Sequence, residues 1–291
     1  MQNGTRPTKI DHRDFDYHKS FGSVVPPTFP TSFSTDPGTI MPNQNAVDTA
    51  YEPPVMPQPE GCTNEATAKL ATNLTNGTVI YRPDVLELIT HANANGGSDL
   101  RTSLSAAVRS GWINAYFNIQ AFQLDFFDSF RLAQISGIPE MRSISWGTPW
   151  APSWEAAFNA GVGIMPMPTQ DEIIAIHQQV GTFGALHKIH HWVRHKLFGG
   201  IGIIPWHDSE LEGYLPINGV VVYRDLSWQG TQGGDHGYAY FTREVINTIM
   251  AIPGTVAYTA TRGKLPPIAT ISVSLYEWLI SNLSILRLFS Y

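Results

Sequence analysis

The sequence predicts an α+β fold, with a helical half packed against a β half. Three observations predict it. Apolar residues recur at helical spacing between residues 62 and 110. Beyond Trp112 the chain reads more as strands and long loops. The first 60 residues carry prolines at 26, 27, 30, 37, 42, 53, 54, 57 and 59, too many for long regular elements.

Taken in order, residues 1–40 read as an extended Pro-rich arm laid over a domain spanning 41–262. Within that domain, Ala66, Leu70 and Leu74 mark one face of a helix from Cys62 to about Asn73, and Asn76-Gly77 ends it with turn chemistry. A second helix is predicted over 82–94, with Pro83 in its first turn and Val85, Leu86, Leu88 and Ile89 as its apolar face. A third runs over 99–110 with Leu100, Leu104 and Val108 in a stripe. Later, residues 143–146 alternate like a strand, 171–180 form a short helix, and 186–197 fit either type. Asn218-Gly219 before Val220-Val221-Val222-Tyr223 is a hairpin signal. Residues 237–241 are an aromatic strand and 242–250 a helix. In 263–291, Leu275, Leu279, Asn282, Leu286 and Phe289 recur at steps of three and four, the pattern of a C-terminal amphipathic helix behind the Pro266-Pro267 break. Folding back on the domain and docking on a partner chain both suit such a helix.

Composition narrows the function classes. A net charge of −6 with no Lys/Arg-rich run argues against nucleic acid as a partner. Charged residues make up 14%, against about 25% in ordinary soluble domains. Such a surface suits contact with other chains, by self-association or in an assembly; a neutral Asn/Thr/Ser-rich surface is the plainer alternative. No secretory signal is expected from the polar residues 1–9, and no membrane span, because no run of 18 uncharged apolar residues occurs. A cytoplasmic location is the default expectation on that reading.

Cys62 is the only cysteine, so no disulfide can form within the chain. A lone thiol is commonly a small buried apolar residue. Its setting, Pro59-Glu60-Gly61-Cys62-Thr63-Asn64-Glu65-Ala66, instead places it where a Gly-ended loop enters a helix. Unpaired N–H groups and the helix dipole favour thiolate there, and thiolate is the species that attacks a carbonyl carbon.

The segment around Cys62 resembles the Gly-Cys-Thr-x-x-Ala entry of papain-like cysteine peptidases, in the divergent form found in bacteria and tailed bacteriophages. Residues 227–240, Ser-Trp-Gln-Gly-Thr-Gln-Gly-Gly-Asp-His-Gly-Tyr-Ala-Tyr, resemble that family's Asn-Ser-Trp-Gly…Gly-Tyr element. The resemblance covers roughly residues 40–250. It implies a papain-like fold, a thiol-dependent hydrolase of peptide or isopeptide bonds, a protein or peptide substrate, and no cofactor. It also implies a histidine that opens a strand between the two motifs and acts as general base. His187 is the first choice and His207 the second, with His190 and His191 open to a shifted register. Gln44 resembles the glutamine that binds the oxyanion, with Gln58 as the alternative and the Cys62 backbone N–H as the other donor. The family's orienting Asn, two residues before the Trp, falls on Leu226, which cannot orient an imidazole. The adjacent Asp225 is the substitute, on the opposite strand face unless a bulge turns it.

Other readings compete. On a helix, His187, His191 and His195 would share a face and could ligate a metal, although no catalytic Glu accompanies them; no metal is expected. Trp146, Trp150, Trp154 and Trp206 are expected to pack the core rather than line a groove. His236 beside Asp235 reads as a turn residue. Two function classes remain: a virion-borne, tail-associated peptidase acting on cell-wall peptide, or a catalytically degenerate papain-like domain serving as a structural or interaction component of a phage tail or baseplate.

Overall fold

The computed structural model describes residues 16–21, 26, 28–34, 62–75, 77–79, 81–91, 98–121, 124–136, 143–186, 204–226 and 233–262. The predicted tail helix and the boundary at 40/41 lie outside them. Described helices are α1 (Tyr17–Phe21), α2 (Cys62–Asn73), α3 (Pro83–Thr90), α4 (Leu100–Arg109), α5 (Phe126–Ser136), α6 (Pro152–Asn159), α7 (Gln170–Leu186) and α8 (Arg243–Met250). Described strands are β1 (Phe33–Ser34), β2 (Ala115–Asn118), β3 (Ile144–Pro149), β4 (Trp206–Ile217), β5 (Val220–Leu226), β6 (Tyr238–Thr242) and β7 (Val256–Thr261).

All seven strands form one antiparallel sheet in the order β2-β7-β3-β4-β5-β6, with β1 added to β4. One face presents Trp146, Leu211, Tyr214, Tyr223 and Ala257 to a core that includes Phe127, Phe130, Trp154, Phe158 and Ile246 from α5, α6 and α8. The other face presents Val256, Tyr258 and Ala260 to Ala66, Leu70, Leu86 and Leu104 from α2, α3 and α4. The α+β expectation holds, and the two halves meet along β3, β4 and β7.

Helix α2 is buried on nearly every side, not along one stripe. Ala66 and Leu70 pack as their spacing predicts, and its polar residues survive burial because they are paired. Thr67 and Thr72 donate back to the carbonyls of Thr63 and Ala68, and Asn73 donates to Ser143. Asn64 donates to Glu87 and Thr90 and accepts from Ser103, tying α2 to α3 and α4.

The sequence overestimates α3. It stops at Thr90 because His91 turns left-handed at φ 50°. Of the expected apolar face only Leu86 is buried; Leu88 is 76% exposed, and Val85 and Ile89 are also exposed. The run Val85-Leu86-Leu88-Ile89 wraps too far around an eight-residue helix for one neighbour to cover it. Helix α4 is as predicted, with Asp99 capping the Thr102 N–H.

Beyond Trp112 the chain holds more helix than expected. Helix α5 begins where Asp125 accepts from the Asp128 N–H, and its aromatic Phe126-Phe127 start reads as strand in isolation. Helix α6 starts on Pro152 and buries Trp154 and Phe158. The four tryptophans at 146, 150, 154 and 206 are all buried, as packing predicts. His236, at φ 53° in an exposed turn, is the turn residue expected. Asn218-Gly219 forms the predicted hairpin between β4 and β5, with positive φ at both residues.

Candidate active site

Cys62 is the first residue of α2, and His207 is the second residue of β4. Strand β4 alternates, so two sets of side chains leave it in opposite directions. Asp208, Glu210 and Glu212 face α2, while Ser209 and Leu211 face the aromatic core. The Thr63 hydroxyl donates to Asp208 Oδ2 at 2.7 Å, and both residues are fully buried. Thr63 follows Cys62 and Asp208 follows His207, so this single bond brings the start of the helix to the start of the strand. The His207 ring packs edge-on against Trp150, with centroids 5.2 Å apart. Cys62 and His207 are each 1% exposed.

Asp225 lies on β5 opposite Leu211, which places it on the sheet face of Ser209 and His207. Leu226 takes the other face, among Val222, Tyr238 and Tyr240. The Asp225 carboxylate accepts from Ser209 at 2.5 Å and from the Trp146 indole at 2.6 Å. Alternation therefore carries the acidic residue, not the leucine, to the histidine's side. Gln44, Gln58, His187, His190, His191 and His195 lie outside the described residues. Among the described residues, no group of three or more His, Cys, Asp or Glu side chains is arranged to hold a metal ion, and no helix is long and apolar enough to cross a membrane.

The seam beneath this corner is ionic. Lys69 of α2 meets Glu212 of β4 at 3.1 Å, with Arg224 on Glu212's other oxygen at 3.7 Å. Glu210 accepts from Ser143 and Ser145. Burial pushes the Glu210 carboxyl up to about 8, against the partial relief of the two serine hydroxyls and of Lys69, with Glu212 adding to the rise. The consequence for stability has a definite sign. A carboxyl whose folded value lies above its ordinary 4.5 binds more protons folded than unfolded between those values. Its stabilisation is complete below pH 4.5 and is lost as pH rises through about 8. Glu210→Gln is expected to remove this loss, so urea unfolding at pH 5 and pH 9 should show a smaller pH difference in the variant than in wild type. An equal difference in both would assign it to other groups.

No family model matches the sequence, and no curated protein matches it. Solved structures do match. Xylellain, a cysteine protease from Xylella fastidiosa, superposes with a TM-score of 0.54 at 11% identity, over 89% of this chain and 96% of that one. The Amb a 11 cysteine protease, a ragweed pollen allergen in its proform, gives 0.50 at 10% identity, over 86% and 70%. The chain has the papain-like cysteine protease fold. At these identities the likeness is one of fold, so a site in it rests on this chain's own residues. In the papain-like arrangement expected from the resemblance, the histidine opens a strand, and among the described residues His207 does so on β4. One sequence signal pointed there. The Asn218-Gly219 turn needs a strand before it, and counting back along that strand reaches His207. The buried charges at 208, 210 and 212 disguise the strand as a solvent-exposed segment.

Proposed function

We propose that this chain is a thiol hydrolase of peptide or isopeptide bonds, with Cys62 as nucleophile, His207 as general base and acid, and Asp225 as the group that orients the imidazole. The observation that carries the reading is the Thr63–Asp208 hydrogen bond, which joins the residues next to Cys62 and His207. Of the two histidines that the sequence reading ranked, His207 takes precedence over His187 on this ground.

The chemistry follows from those positions. His207 takes the Cys62 thiol proton, and the helix N-terminus favours the resulting thiolate. Sulfur attacks the carbonyl carbon, and the oxyanion is held by the Cys62 N–H and by a glutamine, Gln44 or Gln58 as the resemblance implies. His207 then protonates the leaving amine, and a thioester remains. Water attacks the thioester, with His207 taking its proton, and the acid product leaves with the thiol restored.

Cys62→Ser is the direct test. Wild type should release new amines from a mixed peptide library or from cell-wall peptide, and Cys62→Ser should release none while keeping its circular dichroism. Equal release by both proteins would rule out a thiol mechanism.

A second reading is favoured by the burial of both Cys62 and His207 at 1% exposure. In this reading the papain-like domain is catalytically degenerate and serves as a component of a larger assembly. The low charge content and Pro-rich arm suit an assembly, and a phage tail is the one that the resemblance to phage forms implies. Failure of any peptide to be cut, together with stable incorporation into purified tails, would establish it.

A further inference from the structure

We propose that Thr63 and Asp208 are a positioning pair that sets the approach of Cys62 to His207, an inference that rests on the hydrolase reading above. Both are fully buried between α2 and β4. Each is next in sequence to a reacting group. Cys62 begins a helix and His207 lies near the start of a strand, two elements far apart in sequence, so their relative placement must come from side-chain contacts. Helix–sheet apolar packing is smooth and tolerates sliding; a hydrogen bond with both partners buried does not, because breaking it strands a hydroxyl and a carboxylate away from water.

The surroundings restrict Asp208 from its other side. A Cβ on Gly147 of β3 would lie 2.3 Å from Asp208 Oδ1, so the strand backbone comes close to the carboxylate and leaves it little room to turn. Thr63 is similarly held, because its own carbonyl accepts the Thr67 hydroxyl at 2.9 Å. Helix start, carboxylate and neighbouring strand are thus locked in one stack. A shift of about 1 Å in a reacting group can cost about a hundredfold in rate, which is the scale of effect expected from loosening it.

Because Cys62 is the sole cysteine, iodoacetamide labelling reports on it alone. The thiol is covered, so an opening movement scales every labelling rate; the midpoint of the pH profile, not the absolute rate, is therefore the readout. Wild type is expected to label with a midpoint well below that of a free thiol, about 8.5. Thr63→Val should move the midpoint up by about one unit or more and lower kcat by about tenfold to a hundredfold with KM little changed. Thr63→Ser, which retains the hydroxyl, should restore the wild-type profile. If Thr63→Val does not fold, Thr63→Val combined with Asp208→Asn removes the buried charge and is read in the same way. A wild-type midpoint in either Val variant, with only the melting temperature lowered, overturns the positioning role. A wild-type protein that itself labels as a free thiol overturns the hydrolase reading beneath it.

Discussion

His207→Ala should lose about 10²–10⁴-fold in kcat/KM, the range a positioned general base contributes, while its far-ultraviolet circular dichroism stays that of wild type. His187→Ala should lose less than about twofold by the same measure. The expectation rests on the placement of His207, the neighbour of Asp208, which is bonded to the neighbour of Cys62. The His207 ring also packs on Trp150, a buried contact that limits its rotation. Paired kinetics on one peptide substrate decide the matter. A dead His187→Ala beside an active His207→Ala would move the base to the segment after α7 and would return the glutamine and orienting residues to question.

Lys69→Met should give the largest loss of stability. Lys69 and Glu212 are 2% and 0% exposed and 3.1 Å apart. Removing one partner of such a pair leaves an uncompensated buried charge, at a cost of about 3–5 kcal/mol. Arg224 at 3.7 Å from the other Glu212 oxygen keeps some compensation, so the lower end of that range is expected. Lys69→Met with Glu212→Gln should recover most of the loss, because a neutral amide in place of the carboxylate has far less to lose from burial. Urea unfolding of the three proteins tests this through the midpoint and slope. A single variant as stable as wild type would mean that the pair is hydrated in solution and that the helix–sheet seam is held by its apolar contacts.

Both expectations concern features that a linear reading handles badly. Glu210, Glu212 and Lys69 have the look of surface residues, because charges are rarely buried. Lys69 and Glu212 meet only when α2 crosses β4, and Glu210 meets Ser143 and Ser145 only when β3 pairs with β4. The same charges hid β4: a strand with Asp208, Glu210 and Glu212 on one side and His207 and Ser209 on the other shows no apolar alternation. The Asp225 problem was also one of geometry. From the sequence, Leu226 stood in the orienting position and Asp225 beside it pointed away. The pairing of Asp225 with Leu211 puts the carboxylate on the His207 side. The β4–β5 irregularity begins at that pair, between Leu211 and Gly213, with Glu212 as the extra residue. There Gly213 brings β1 so close that a Cβ would meet the Phe33 carbonyl oxygen at 2.1 Å.

The sequence by itself determined the features governed by local chemistry. The Gly-Cys entry placed Cys62 at a helix start, residues 99–110 and 242–250 read as the helices that α4 and α8 are, and Asn218-Gly219 marked the hairpin. It also carried the papain-like resemblance, since the spacing of two motifs along the chain is a linear property. The tertiary structure alone decided that the residue after Cys62 meets the residue after His207, which face Asp225 takes, and how the buried charges are paired. Those depend on strand register and on the crossing of elements more than a hundred residues apart, as with Thr63 and Asp208. A one-residue change of register reverses every side chain on a strand, and no local preference of the residues in β4 or β5 records which register the neighbouring strands impose.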